Sequence, residues 1–531
     1  MILSGKKLFI SFVFLFSGII LHSQIITVFS EKTREPVVNV ALFNSSRSIS
    51  TLTDSDGRAN ISIFTEKDSI FFQHPTYNPI VFSYSDLQVQ KAVFLVKRLI
   101  IIDEFVISAS KARENRKDQP YMIDILNEND LAYNQGQSSA DILTATGNIV
   151  VQKSQGGGGS PILRGFEANK ILLVIDGVRM NNAIYRSGHL QNSITIDQSV
   201  LERLEVVYGP TSLIYGSDAL GGVIHYYTRD PRFAETESKV YCNVRASSQV
   251  STANGGLVNN LNINTGFKKI AFLTSVTGKN LGNTRMGKKI NPFYSDFGKL
   301  RHYVERADGR DTTVENQDPY LQLNTGYSQY DLLQKVRYSP SGNLDVLLNV
   351  QYSTSSNIDR FDELNDYRGA EMNYAEYYYG PQNRLFGSLK AIIKKGNIFF
   401  TSMTTTLAYQ RIDEDRINRR FQSAEKLFQE EDVQVYSVNM DFLKFEKYSH
   451  RLNYGMEMIC NEVLSSSWYQ NIESGVTTPA QTRYPGGGSE TMSAAAYASY
   501  RWVPSPKFIY STGVRYQYGK MNSNFKEGFM P

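Results

Sequence analysis

Two glycine-rich stretches bring this sequence nearest to chemistry: GGGGSPILRG at 156–165 and GPTSLIYGSDALGG at 209–222. A loop that cradles phosphate reads G-x-x-x-x-G-K-[ST] or G-x-G-x-x-G between a strand and a helix, so that backbone N–H groups converge on the anion. Neither stretch fits. The sequence has no G-x-S-x-G nucleophile elbow and no H-E-x-x-H zinc pair, and its six histidines are scattered. Cys242 and Cys460, far apart and without a C-x-x-C pair, point to neither a disulfide framework nor a metal site. In TDSDG, Thr53–Gly57, Asp54 and Asp56 have the type of calcium ligands. The longer acidic loop is missing, and a turn closed by local side-chain-to-backbone bonds is expected instead. With no paired acid, base or nucleophile, catalysis is not predicted. The role left for Gly165, Gly177, Gly209, Gly216, Gly221 and Gly222 is steric: positive φ, and close approach of one backbone to another in a compact domain.

Several kinds of element would position these residues. MILSGKKLFISFVFLFSGIILHSQ has a basic start (Lys6, Lys7), an apolar run from Leu8 to Leu21 and a small or polar end, the layout of a secretory leader over 1–23. The run is short for a membrane span. From 24 to 101, short apolar stretches such as IITVFS, SIFFQH and AVFLV alternate with turns at the spacing of an Ig-like β-sandwich. Residues 102–120 become a charged linker. Within it DEFVISA, Asp103–Ala109, reads equally as the last strand of the sandwich or as a segment that adds to a partner's sheet edge. Over 121–231 a small α+β domain follows: SSADILTATG is a short helix capped by Ser138, KILLVID is a buried strand, SVLER suggests another short helix, and LEVVYG is a strand.

From about 235 the texture changes to long alternating strands. Phe508, Tyr510, Val514, Tyr516 and Tyr518 share one face, and Leu344, Val346, Leu348, Val350 and Tyr352 share another. Aromatics make up 12% of the chain, with 33 tyrosines and 29 phenylalanines. In an exported chain this pattern predicts a transmembrane antiparallel β-barrel, since only alternate residues face lipid. The net charge of +4 over 531 residues, with basic and acidic residues interleaved, does not suggest a nucleic-acid partner.

SADILTATGNIVVQ, SPILRGFEANKILLVIDGVRMNNAIYRSGHLQ and LERLEVVYGPTSLIYGSDALGGVIHYYT together resemble the plug domain of TonB-dependent outer-membrane receptors. The preceding sandwich is similar to the carboxypeptidase-regulatory-like domain of such receptors of the Bacteroidetes type. The resemblance implies a mainly β architecture of sandwich, α+β plug and barrel, and makes Asp103, Glu104, Phe105, Val106, Ile107, Ser108 and Ala109 the TonB box. It implies active import across the outer membrane, with TonB, the inner-membrane energising complex and outer-membrane lipid as partners. It places ligand contacts on the plug's outward loops: Gln155, Ser160, Glu167, Asn169, Asn181, Asn182, Tyr185, Arg186 and His189. DGVRMNNAIYRSGHLQN is closer to haem, haemoglobin and siderophore receptors than to glycan importers, so haem or a ferric siderophore is the expected substrate, with His189 as a haem-iron ligand and no resident cofactor or metal. A glycan or peptide importer served by a surface lipoprotein, or a receptor or adhesin that binds without transport, is the alternative. About eleven strand-like stretches lie between 235 and 531, about half of a 22-stranded transporter, so the barrel is expected to be incomplete and the chain truncated.

Overall fold

The structure, a computed structural model, describes residues 24–97, 105–184, 192–236, 239–446, 449–505 and 507–526. The leader expected over 1–23 lies outside them. The chain divides into two compact units, Met1–Asp103 and Glu104–Pro531.

In the first unit Ile25–Ser30 pairs antiparallel with Arg58–Asn60 and parallel with Ala92–Leu95. A second sheet runs in the order Ser50–Leu52, Ala41–Asn44, Ser69–His74, Tyr77–Ser83. Both sheets feed one core: Ile26, Val28, Val93 and Leu95 from the first meet Leu42, Ile70 and Phe72 from the second. Alternating strands bury one face in this way, and the result is a two-layer sandwich. The TDSDG stretch is a turn: Asp54 Oδ1 accepts from the backbone N–H groups of Asp56 (2.9 Å) and Arg58 (2.8 Å). The helix Tyr84–Val89, capped by Ser83, is an element the spacing did not suggest.

The second unit begins with a five-stranded sheet in the order Met122–Asn127, Leu201–Tyr208, Gly222–Thr228, Ile171–Ile175, Val178–Arg179. Only the pair Ile171–Ile175 and Gly222–Thr228 is parallel. Every residue of Ile171–Ile175 is buried because both faces of the strand are covered. Ile171, Leu173 and Ile175 point into one apolar cluster with Ile142 and Leu143 of the helix Ser139–Thr144. Leu172 and Val174 point into another, with Val106, Ala109 and Tyr215. Ser138 and Asp141 close the helix with a reciprocal capping box. SVLER differs from its reading as a helix: only Gln198–Val200 turns, and Leu201 already pairs with Thr228 in the sheet. Cross-strand pairing outweighs the weak helical preference of five residues.

The largest sheet among the described residues has 14 strands. Its continuous path runs antiparallel from Tyr241–Ser251 to Phe508–Ser523, and among the described residues no pairing joins those two strands. Short turns (267–269, 342–343) gather at one end, and long connections (282–326, 356–382) at the other. That asymmetry is the one found between the periplasmic and external ends of membrane barrels. The sheet is also inverted relative to a soluble one. In Gly256–Gly266, Leu257, Leu261 and Ile263 are exposed while Asn260, Asn262 and Asn264 are buried. In Leu344–Ser355, Leu348, Val350 and Tyr352 are exposed while Asp345, Asn349 and Ser353 are buried. Apolar residues outside and polar residues inside suit a lipid-facing wall around a polar interior. No helix among the described residues is long and apolar enough to cross a membrane, which says nothing against crossing by strands.

Candidate functional site: the plug and its docked N-terminal segment

Asp103 and Glu104 lie outside the described residues, and the rest of DEFVISA is tucked against the plug sheet. Phe105–Val106 pairs antiparallel with Glu114–Asn115, making a small hairpin. Val106, Ser108 and Ala109 are buried. Glu205, in the middle of the plug strand Leu201–Tyr208 and 0% exposed, holds the segment. Its Oε2 accepts from Ile107 N (3.0 Å), Ser108 N (2.9 Å) and Ser108 Oγ (2.7 Å). Its Oε1 accepts from Arg203 Nε at 2.8 Å. A buried carboxylate must be paired or fully hydrogen-bonded to be tolerated, and here the docked segment supplies most of that requirement.

The far side of the hairpin is fastened to the barrel wall. Ser110 Oγ donates to Glu114 Oε1 at 2.7 Å, and Glu114 pairs with Arg451 (3.0 Å) and Arg501 (2.7 Å). Lys111 sits at ion-pair range between Asp441 (3.4 Å) and Glu457 (3.6 Å). Next to these residues, His225 is fully buried and stacked on Tyr227 with ring centroids 3.9 Å apart. Its Nε2 accepts from Gly177 N at 3.0 Å. Burial above all, and then the charges of Lys390, Arg203 and Lys111, push the imidazole well below its usual range, so it stays neutral.

Polar contacts form much of the seam between plug and wall. Lys335 Nζ reaches Asp230 (2.8 Å) and Asp176 (3.3 Å), and Asn349 Nδ2 donates to Asp176 at 2.8 Å. Thr277 Oγ1 donates to Asp197 at 2.6 Å, Gln329 Nε2 to Ile194 O at 2.9 Å, and Arg515 NH1 to Ile214 O at 3.0 Å. Water can replace each of these bonds, so separating the surfaces costs far less than separating packed hydrocarbon of the same area.

The glycines divide by role. At Gly222 (φ +152°) a Cβ would collide with the Val207 carbonyl in the neighbouring strand. At Gly156, outside the set singled out by sequence, a Cβ would strike the Thr325 carbonyl of the long connection 282–326, so the loop of glycines at 156–159 meets that connection backbone to backbone. Gly221 packs under Phe166, Gly216 faces Arg515 and Gln517, and Gly177 has Lys390 Nζ 3.7 Å away. Gly165 and Gly209 stand in open space, which corrects the packing role given them; their positive φ, 84° and 103°, is a requirement of the turn alone.

Tyr185, Arg186 and His189 lie outside the described residues. Asn181 does not offer its side chain to a ligand: Oδ1 accepts from Leu173 N and Nδ2 donates to Ile171 O, both at 3.0 Å, so the amide is spent on the plug's own backbone. Ser160 is buried as the first residue of the strand Ser160–Leu163. Asn182 Oδ1 accepts from Ile184 N at 3.1 Å, beside the barrel residues Asn461 and Tyr484. Glu167 is half-buried and Asn169 exposed, close to the Phe166–Gly221 contact. Gln155 is only 1% exposed, and neither end of its amide has a hydrogen-bond partner in the protein. Sequence reasoning missed Glu205; its one signal was an acidic residue inside the otherwise apolar run LEVVY. Among the described residues no group of three or more His, Cys, Asp or Glu side chains is arranged to hold a metal ion.

Residues 115–223 match the TonB-dependent Receptor Plug Domain. A hemin receptor of Yersinia pestis is 33% identical over 129 residues, 24% of this chain and 18% of that protein. The vitamin B12 transporter BtuB of Vibrio vulnificus is 32% identical over 135 residues, 25% of this chain and 22% of that protein. The sequence match thus spans about a fifth of these relatives' length. The solved copper transporter OprC superposes with a TM-score of 0.57 at 15% identity, over 76% of this chain and 55% of that one. The ferric citrate transporter FecA superposes with a TM-score of 0.52 at 14% identity, over 76% and 57%. Residues 115–223 thus match a TonB-dependent receptor plug, and the unit that contains them shares the fold of those solved transporters.

Proposed function

We propose that the chain takes up an iron source, haem or a ferric siderophore, across the outer membrane, driven by a periplasmic TonB-type partner that pulls on the segment beginning at Asp103. One observation carries the reading: a short, separately docked segment is held by hydrogen bonds to one buried carboxylate, Glu205, and joins the plug to the barrel wall. Withdrawing such a segment takes Val106 and Ala109 out of one apolar cluster, leaves the cluster on the other face of Ile171–Ile175 complete, and leaves Glu205 with Arg203 as its partner. Similarity over the plug to a hemin receptor supports the substrate class, and an antiparallel sheet with its apolar residues outward supports the location. The carboxypeptidase-regulatory-like identity of the sandwich belongs to the same proposal, and a surface lipoprotein partner to the alternative of a glycan or peptide importer.

Deleting Asp103–Ala109 is the test. Uptake of labelled haemin or ferric siderophore should collapse while binding at the cell surface persists; unchanged uptake would count against active transport driven through this segment. For haem as the ligand, His189→Ala should alter the Soret band of haemin bound to the intact receptor, and an identical band removes His189 from the iron.

A further inference from the structure

The outward face of the large sheet carries an apolar groove of about 470 Å³ that crosses five neighbouring strands, from Leu344–Ser355 to His450–Asn471. Two adjacent rows of outward side chains bound it. Gly387, Tyr409, Tyr436 and Cys460 stand in one, and the other runs from Leu348 to Met458. The dent begins at Gly387, between Val350 and Tyr409 in the ladder, where nothing comes within 4 Å of the position a Cβ would take. Four strand spacings of about 4.8 Å give the groove a length of about 19 Å. With strands inclined by about 45°, this spans about 13 Å of depth, close to half of the ~30 Å hydrocarbon core.

One end of the groove is polar and the other is not. Leu344–Ser355 runs from the short turn 342–343 to the long connection 356–382, and His450–Asn471 runs the same way. Above Leu348 the outward residues are Val350 and Tyr352, both apolar and exposed. Above Cys460 comes Glu462 at once, in register with Glu490 on the next strand. Both carboxylates are exposed and share a face, and among the described residues neither forms an ion pair. Like charges set directly opposite repel, so a cation between them is favoured. The bases nearby do not fill that place: Arg411 is held by Asp432 (2.7 Å) and Asp413 (3.5 Å), and Lys520 stands only diagonal to Glu490. The hydroxyls of Tyr409 and Tyr436 converge on Gln434 Oε1 (3.3 and 3.1 Å), next to Glu462 in the ladder.

We propose that the groove binds one phosphatidylethanolamine molecule of the outer leaflet, with an acyl chain lying from Cys460 toward Leu348 and the ammonium between Glu462 and Glu490. The chain fills a dent that no side chain of the protein fills, and the ammonium gives the opposed carboxylates a counter-charge and hydrogen-bond donors. The inference rests on the lipid-facing wall and is independent of the substrate taken up.

The test uses the full chain in mild detergent, stripped of lipid and titrated with phosphatidylethanolamine or phosphatidylglycerol of identical acyl chains. Native mass spectrometry counts the lipid that stays bound. One phosphatidylethanolamine should persist, and phosphatidylglycerol should bind at least tenfold more weakly. Gly387→Leu, which fills the dent, should lower phosphatidylethanolamine retention at least tenfold. Val276→Phe, outward on the strand Ile270–Leu281 and away from the groove, should leave it unchanged. Glu462→Gln with Glu490→Gln should erase the preference between the two lipids. Equal retention of both lipids by the wild type, unchanged retention in Gly387→Leu, or the same loss in Val276→Phe overturns the proposal, as does displacement of the bound lipid by an equal concentration of lipid A. If Gly387→Leu loses the sheet signal in circular dichroism, the double glutamine variant decides: a preference that survives it overturns the proposal.

Discussion

Glu205→Gln is the sharpest perturbation of the latch, because it keeps the shape of the side chain and removes its charge. The carboxylate accepts three hydrogen bonds from the docked segment and one from Arg203. A bond to a charged acceptor contributes about 1.5–3 kcal/mol and a neutral one about 0.5–1.5. Losing roughly 1 kcal/mol at each of three bonds weakens docking by about 3 kcal/mol, on the order of a hundredfold in the docked-to-free ratio. The amide's NH₂ end then faces either Arg203 or the Ser108 N–H, so rotation cannot recover the loss. Native-state hydrogen exchange reads this directly. The Ile107 and Ser108 amides should lose about two decades of protection, while the central plug strand Ile171–Ile175 keeps its own. Equal loss in both places would mean that Glu205 stabilises the plug as a whole, and no loss at Ile107 and Ser108 would refute the latch.

His225 makes plug stability depend on pH. Its folded form is held neutral, well below the usual imidazole range, by burial and then by the charges of Lys390, Arg203 and Lys111. The unfolded chain takes up a proton below about pH 6.5, so the contribution is complete above that value and is lost as pH falls, by about 1.4 kcal/mol per unit. Denaturant midpoints measured from pH 7 to 5 should drop in the wild type, and His225→Gln should flatten that drop. Gln155→Leu removes two buried polar atoms that have no protein partner, and should raise plug stability by about 1–3 kcal/mol. A lower denaturant midpoint would show instead that the amide is satisfied by bound water.

Periodicity made most of the fold legible. IITVFS, SIFFQH and KILLVID coincide with strands because each carries a continuous or alternating apolar run that the core then buries. The inverted wall was readable from LDVLLNVQYS, whose alternation survives as exposed leucine, valine and tyrosine against buried aspartate, asparagine and serine. Tyr77–Ser83 is harder to read because it is an edge strand with Pro79 and no residue fully buried, and its apolar alternation is only Ile80 and Phe82, both partly covered by the core. At the site, DEFVISA could be located but not its holder. The partner of residues 107 and 108 stands 98 and 97 positions away, and nothing local in the chain encodes that meeting. Asn181 erred for a related reason: a polar loop residue looks free until the strand carbonyl and amide that occupy it are in place.

The hairpin of Phe105–Val106 against Glu114–Asn115 also sets how the segment responds to load. Tension applied at its N-terminal end meets the rungs one after another, as a zipper does, so the resistance at any moment is that of a single rung and not of all together. The threshold for release is then fixed by the hardest step along the line, the carboxylate at 205, and changes at easier steps would alter how far the chain extends before yielding more than how hard it must be pulled.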